Sequence, residues 1–389
     1  MLSPEKELVT ILRNSGVDLA CTLPCDRIKG LIALLEEEYR KPPLHHIPLT
    51  REEEGVGICA GAALAGRRPA MFLQNSGIGN MLNALLSLTG FYQLPLALFI
   101  SHRGVYKEKI AAQVPMGEKV PGILKGAGIP HSVISTREEL RGIGKKLDAL
   151  YKKGTIHAFL LSPAVWETGG ECRVPVPLAA KGGPVCTLPS PPQEGRMRPR
   201  CTRYEVLETV APLLEGSIVV CNLGVPSKEL FHLGHRSSYF YMLGSMGMAT
   251  PIGLGIALST EREVVVIDGD GSLLMNPGSL ATAAYCAPDN LTILAIDNSA
   301  YGSTGNQPTF SGTCVDLERI AQGFGIRRTC KAAGKRQLIA AIRGRHAGLR
   351  FIHCLAVPGN RDVPNIPLHH LDIRKQVQEF LAGASPAEK

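Results

Sequence analysis

An acid and an amide in the second half of the chain, Asp270 and Asn298, stand where they could share one hard cation. Asp270 belongs to Gly269-Asp270-Gly271-Ser272, after the β-branched, apolar run 263–267; Asn298 follows a similar run, 291–296. Both runs read as buried parallel strands, and the stretch from roughly 277 to 286 between them reads as helix. Strands joined by a right-handed crossover can lie side by side. Their carboxyl ends would then bring a carboxylate and an amide oxygen close together. A hard cation asks for such a set: oxygen ligands, open positions, and phosphate oxygens to complete an octahedron. Open α/β sheets bind ligands at this edge. Gly271 and Ser272 could add backbone amides for an anion, because glycine permits close approach and a helix start favours anions. Gly-Asp-Gly alone is equally compatible with a plain turn after a strand.

The elements that must hold these residues follow from the rest of the chain. With 389 residues, of which 44% are hydrophobic, two packed domains are expected. Residues 173–200 contain seven prolines and three glycines and read as a linker. It separates residues 1–172 from 201–380, and 381–389 reads as a flexible tail. Strands are expected near 19–22, 70–74, 96–100 and 158–162, and near 218–221, 263–267, 291–296 and 351–356. Their alternation with helical stretches predicts two α/β domains with parallel sheets. The opening MLSPEKELVTILRNSG reads as an amphipathic helix rather than a signal peptide, and no apolar run approaches a membrane span. Eleven cysteines without a C-x-x-C pair fit a reducing, cytoplasmic setting and give no zinc framework. The net charge of +8 is spread out, without a basic stripe for nucleic acid, and suits small anionic ligands.

Two further segments carry polar chemistry. Thr50-Arg51-Glu52-Glu53-Glu54 opens a helix, where acids favour the positive end of the dipole, and small residues through Gly66 would let that helix pack tightly. Leu243-Gly244-Ser245-Met246-Gly247 is a glycine-rich turn carrying one methionine. Each is explicable as packing when taken alone.

Together the three segments resemble the thiamine-diphosphate-dependent decarboxylases. In that family Gly-Asp-Gly is followed about 26 residues later by Asn, and a Glu stands nine residues before a Gly, as Glu52 stands before Gly61. The resemblance implies that Asp270, Asn298 and the Ala300 carbonyl hold magnesium. Asp297 departs from the Asn often found before the ligand Asn, which adds a negative charge without removing a ligand. The resemblance makes Glu52 the acid that meets the aminopyrimidine ring and promotes loss of the C2 proton, Met246 the wedge that bends the cofactor, and the Gly244 carbonyl the acceptor for the 4′-amino group. An apolar pocket would stabilise the protonated Glu and favour decarboxylation.

Gly16-Val17-Asp18, Pro24-Cys25-Asp26-Arg27 and Gln74-Asn75-Ser76-Gly77-Ile78-Gly79-Asn80 resemble the phosphonopyruvate and sulfopyruvate decarboxylases, and residues 100–104 and 107–117 resemble the sulfopyruvate branch. In that branch the two halves are often separate subunits; here they stand in one chain. The implied reaction is 3-sulfopyruvate to sulfoacetaldehyde and carbon dioxide, a step toward coenzyme M in methanogens. A small anionic 2-oxo acid needs cations or polar donors; the candidates are His102, Arg103, Lys107 and Lys109 with Asn75, Ser76 and Gln113, and the pair His235-Arg236 as a further possibility. A homodimer or larger assembly is implied, since the family's site lies where the two kinds of domain meet. The alternatives are a phosphonopyruvate decarboxylase, an acetolactate-type carboligase, or a non-catalytic cofactor-binding protein, which would not need Glu52. A dehydrogenase reading of Gly253-Leu254-Gly255 fails because the third glycine is missing and the segment precedes its strand.

Overall fold

Short apolar runs become the strands of two wholly parallel sheets, one in each of two units, Met1–Gly183 and Pro184–Lys389. The structure is a computed structural model and describes residues 2–40, 44–168, 197–344 and 348–383. The proposed linker falls mainly outside the described residues, as do residues 384–389 of the proposed tail. Leu381 belongs instead to the closing helix, His370–Leu381.

The first sheet comprises β1 (Leu19–Thr22), β2 (His45–Pro48), β3 (Pro69–Gln74), β4 (Leu96–Ser101), β5 (His131–Ile134) and β6 (Ile156–Leu161), in the order β2-β1-β3-β4-β6-β5. The second unit contains β7 (Ile218–Cys221), β8 (Tyr239–Tyr241), β9 (Val264–Gly269), β10 (Leu291–Asp297), a small hairpin of β11 (Ala300–Tyr301) and β12 (Gln307–Pro308), β13 (Arg328–Ala332) and β14 (Arg350–Leu355). Its sheet runs β13-β14-β10-β9-β7-β8. Read from the other edge, with the hairpin left out and strands counted within the sheet, this is the same order as the first sheet. The halves share a topology that their sequences do not advertise.

The expected inner strands are present within one to two residues of their expected ends. They are legible because β4, β9 and β10 are buried almost throughout, with helices on both faces, and therefore need continuous apolar runs. Phe72, Phe99 and Phe159 stand in register on β3, β4 and β6 and stack at 4.8 and 4.9 Å between ring centroids. Such pairs contribute roughly 0.5–1.5 kcal/mol each beyond burial.

In each sheet the chain leaves the first strand toward one edge and returns on the other side. This creates a switch point between β1 and β3, and another between β7 and β9. Crevices at the carboxyl ends of such strands bind ligands. In the second unit a cavity of about 120 Å³ lies there, lined by Asn222 after β7, Asp268 to Gly271 at the end of β9, and Asn298 after β10.

Candidate active site

β9 and β10 are direct parallel neighbours, with Ile296 opposite Gly269. Asp270 and Asn298 are therefore adjacent at the sheet edge, and both are nearly fully buried. The Asn298 side-chain oxygen lies 3.3 Å from Asp270 Oδ1 and 3.0 Å from the Ala300 carbonyl oxygen. Three acceptors thus face one another without a donor between them. Oxygen facing oxygen is repulsive, and in the absence of a cation the carboxamide gains by turning over and donating to both. Around a cation the observed orientation is the favourable one. Magnesium binds oxygen at about 2.0–2.1 Å, so neighbouring ligands of an octahedron stand roughly 3 Å apart. The separations match that edge, and the donor set fits a hard dication.

The chain is bent here to bring the Ala300 carbonyl back. Ser299 has φ +55°, a left-handed conformation that costs a non-glycine residue about 1–2 kcal/mol. Asp297 offsets that cost: its Oδ1 accepts from the Ser299 backbone N–H at 3.0 Å and its hydroxyl at 3.2 Å. Ser311 Oγ lies 2.7 Å from the same oxygen and 3.0 Å from Asp270 Oδ2, which also accepts from Thr309 Oγ1. The segment after the hairpin is thereby fastened to both carboxylates.

Burial pushes the Asp270 carboxyl up; the Thr309 hydroxyl opposes this, the Asp297 charge reinforces it, and the net direction is upward. A dication would relieve that pressure. Burial also works against ionisation of Asp297, but hydrogen bonds from His353 and Ser311 outweigh it and hold the carboxyl below its usual range. His353, on β14, places Nε2 2.9 Å from Asp297 Oδ2, while Nδ1 lies 3.5 Å from Asp316 Oδ1, an ion-pair contact rather than a hydrogen bond. Burial alone would lower the imidazole; Asp297 and then Asp316 reverse this and raise it. The extra acid at Asp297 therefore faces a histidine whose charged form its carboxylate neighbours favour.

Met246 lines the same cavity as Asp270, Gly271 and Asn298. Its turn, which includes Gly244, has positive φ at Ser245 and Gly247 and is tied down by Ser272, whose Oγ accepts from the Gly247 N–H at 3.1 Å. The Ser272 hydroxyl also supports Asp268, so its side chain holds the turn in place. Gly271 is compelled by packing, because a Cβ there would stand 2.3 Å from the Tyr301 ring. Its amide donates to the Asp270 carboxylate.

In the first unit, Glu52 opens the helix Glu52–Leu64, which is buried throughout except at Glu53. Its small residues do allow close packing: a Cβ on Gly55 would meet Leu49 at 2.5 Å and Met71 at 2.8 Å. Glu52 is 6% exposed, and its Oε2 accepts from Asn80 Nδ2 at 3.0 Å. Gly77 passes so close that a Cβ on it would lie 2.4 Å from Glu52 Oε1. Asn80 and Gly77 belong to a segment read for resemblance, but their contact with Glu52 was not foreseen.

The candidates for the substrate's anionic tail divide. Arg103 is locked in a two-pronged pair with Glu108, at 2.9 and 2.7 Å. Lys107 Nζ lies 2.9 Å from Glu167 Oε2, and His102 points Nε2 at the Gly117 carbonyl, 2.9 Å away. Burial lowers the His102 imidazole, which makes it a neutral donor. Asn75 Nδ2 donates to the Arg103 carbonyl at 2.9 Å, and Ser76 Oγ accepts from Gln74 at 2.6 Å. Lys109 is exposed and Gln113 half-buried. The structure does not gather Arg103 and Lys107 into an unpaired cationic cluster. His235 and Arg236 lie in the other unit, against Tyr241 and over the Tyr239 ring.

Two family profiles match: "Thiamine pyrophosphate enzyme, N-terminal TPP binding domain" over residues 5–117 and "Thiamine pyrophosphate enzyme, C-terminal TPP binding domain" over residues 224–354. The chain is 43% identical over 389 residues to the sulfopyruvate decarboxylase of Methanosarcina acetivorans, covering 98% of each chain. The chain belongs to the thiamine pyrophosphate enzymes, in the sulfopyruvate decarboxylase group. It is 34% identical to the phosphonopyruvate decarboxylase of Streptomyces viridochromogenes, over 92% of this chain and 89% of that one. The alpha and beta subunits of the Methanocaldococcus jannaschii sulfopyruvate decarboxylase match its halves. The alpha subunit is 43% identical over 40% of this chain and 91% of its own length; the beta subunit is 58% identical over 29% and 60%. Among the described residues, no helix is long and apolar enough to cross a membrane.

Proposed function

We propose that this chain decarboxylates 3-sulfopyruvate to sulfoacetaldehyde and carbon dioxide, with thiamine diphosphate held through magnesium. The observation that carries the reading is the convergence of the Asp270, Asn298 and Ala300 oxygens at the tips of β9 and β10. The similarity to sulfopyruvate decarboxylase over nearly the whole chain supports the choice of substrate. Thiamine diphosphate, when bound, supplies the electron sink that amino-acid side chains lack.

In this reading the three oxygens grip the dication, and the cavity beside Gly271 and Ser272 receives the diphosphate. Met246 would offer the cofactor an apolar surface, and the Gly244 carbonyl would accept from its amino group. Glu52, held by Asn80, keeps a proton at the pyrimidine ring nitrogen. A sulfonate meets Lys109 and the polar ends of Ser76 and Gln113 ahead of Arg103 and Lys107, whose charges are already paired. His102 and Asn75 add polar contacts. The enzyme acts in the cytoplasm, in coenzyme M synthesis, as an assembly of at least two chains.

The test is a decarboxylase assay on sulfopyruvate, phosphonopyruvate and pyruvate with thiamine diphosphate and magnesium. Sulfopyruvate should turn over fastest, and chelation should abolish turnover. Fastest turnover of phosphonopyruvate would reassign the substrate, and acetolactate from pyruvate would make the protein a carboligase.

A further inference from the structure

Asp297 sits one residue before the proposed ligand Asn298 and does not itself join the converging oxygens. Its two oxygens face different partners. Oδ1 takes the backbone N–H and hydroxyl of Ser299 and lies 2.7 Å from the Ser311 hydroxyl, which also approaches Asp270. Oδ2 lies 2.9 Å from His353 Nε2. Both side chains of the Asp297–His353 pair are 3% exposed. His353 reaches it from β14, the strand beside β10, where it stands opposite Ala295. Its other ring nitrogen, Nδ1, lies 3.5 Å from Asp316, which Lys331 pairs at 2.5 Å.

This arrangement has consequences for the cation centre. A buried carboxylate next to a cation site would ordinarily compete for the metal, because a free carboxylate oxygen is a better ligand for a hard dication than an amide. His353 occupies Oδ2, and Ser299 with Ser311 occupies Oδ1, so Asp297 is directed away from that task. Its hydrogen bonds instead fix the left-handed Ser299 turn, which returns the Ala300 carbonyl toward Asn298. We propose that Asp297 and His353 form one positioning unit for the cation centre: Asp297 sets the turn that presents the Ala300 carbonyl and steadies Asp270 through Ser311, and His353 holds Asp297 in that role. The proposal rests on the reading of Asp270, Asn298 and Ala300 as the cation ligands and assigns residues outside that set.

The test uses the full chain with thiamine diphosphate present and Mn²⁺ as the probe, with binding followed by electron paramagnetic resonance and folding by thermal melting. Asp297→Ala and His353→Leu should each weaken Mn²⁺ binding by about tenfold, as expected for supporting shells of metal sites. The double variant should be no worse than the weaker single, since the two side chains act together. Asp297→Asn keeps an acceptor for Ser299, and His353→Gln keeps a donor for Asp297; each should stay within about threefold of the parent. A merely structural role would lower the melting temperature while leaving the affinity of the folded protein unchanged. Unchanged affinity in Asp297→Ala, additive losses in the double variant, or an Asn variant as weak as the Ala variant would each overturn the proposal. Failure of the underlying reading looks different: the parent protein binds no Mn²⁺, or Asp270→Ala binds it as well as the parent does.

Discussion

Three consecutive acids open one helix, and their surroundings give them three tasks. Glu54 caps the helix, accepting from the Thr50 N–H at 2.5 Å, the Thr50 hydroxyl at 2.9 Å and the Arg51 N–H at 3.4 Å. Glu53 faces Arg51 near solvent, at 3.8 Å. Glu52 is buried against Asn80. In the sequence these residues differ only in their distance from Gly61, so the resemblance was needed to choose among them. Asp270 and Asn298 were more legible, because strand ends fix where they stand. Thr309 and Ser311 were not, because nothing local links them to an acid some forty residues earlier. The Glu52 assignment is exposed to a test through Gly77, where any side chain must displace the carboxylate. A displacement on the order of 1 Å costs roughly 100-fold in rate. Gly77→Ala should therefore lower kcat by about 100-fold and leave affinity for magnesium thiamine diphosphate nearly unchanged, as read by steady-state kinetics beside calorimetry. A normal kcat would remove Glu52 from the reaction.

At the scale of elements, the inner strands could be read and several outer ones could not. β5 and β13 carry few buried positions, and β8 is only three residues long, so periodicity has little to register. The Gly253 segment illustrates a motif explained by packing. It lies in the helix Ala249–Ala257, and a Cβ on Gly253 would stand 2.1 Å from Val266 of β9, so glycine serves helix–sheet contact there. The basic loop after β4 departs further from its sequence reading. Arg103, a candidate for substrate, is a structural cation whose Glu108 partner also accepts from the backbone N–H groups of Gly104, Lys109 and Ile110. The Arg103 guanidinium, foremost, holds the Glu108 carboxyl down to about 2, against an ordinary value of 4.5. A carboxyl depressed by folding stabilises the protein above its unfolded pKa, and that contribution is lost as pH falls from about 4.5 toward 2. Glu108→Gln should cost about 2 kcal/mol at neutral pH and flatten stability across that acid window, measured by denaturant titration at stepped pH. Retention of the parent's acid limb in the variant would show that other carboxyls govern it.

The whole molecule is two copies of one strand order in tandem, and no described strand pairs outside its own unit. This duplication was hidden in the sequence because a parallel sheet requires only that its runs be apolar, not that they be the same residues. The proline-rich stretch 173–200, by contrast, reads as a linker from composition alone, and most of it lies outside the described residues. Each unit has a complete six-stranded sheet, and the first has its own continuous apolar cluster, from Leu8 through Val165. A chain whose cores are closed within each half should tolerate a cut between them. The two-subunit relative, whose subunits match the two halves, points the same way. Expressed as separate polypeptides broken at Gly183, the halves should each be soluble with mixed helix and strand by circular dichroism. Each alone should be inactive, because the proposed residues Glu52 and Asp270 would then be on different chains. Mixing them with thiamine diphosphate and magnesium should restore sulfopyruvate decarboxylation in a concentration-dependent way, since the two halves must then meet as separate chains. Full activity from the second half alone would show that Glu52 is dispensable. Folded halves that never regain activity on mixing would show that the covalent connection does more than raise the local concentration of one half near the other.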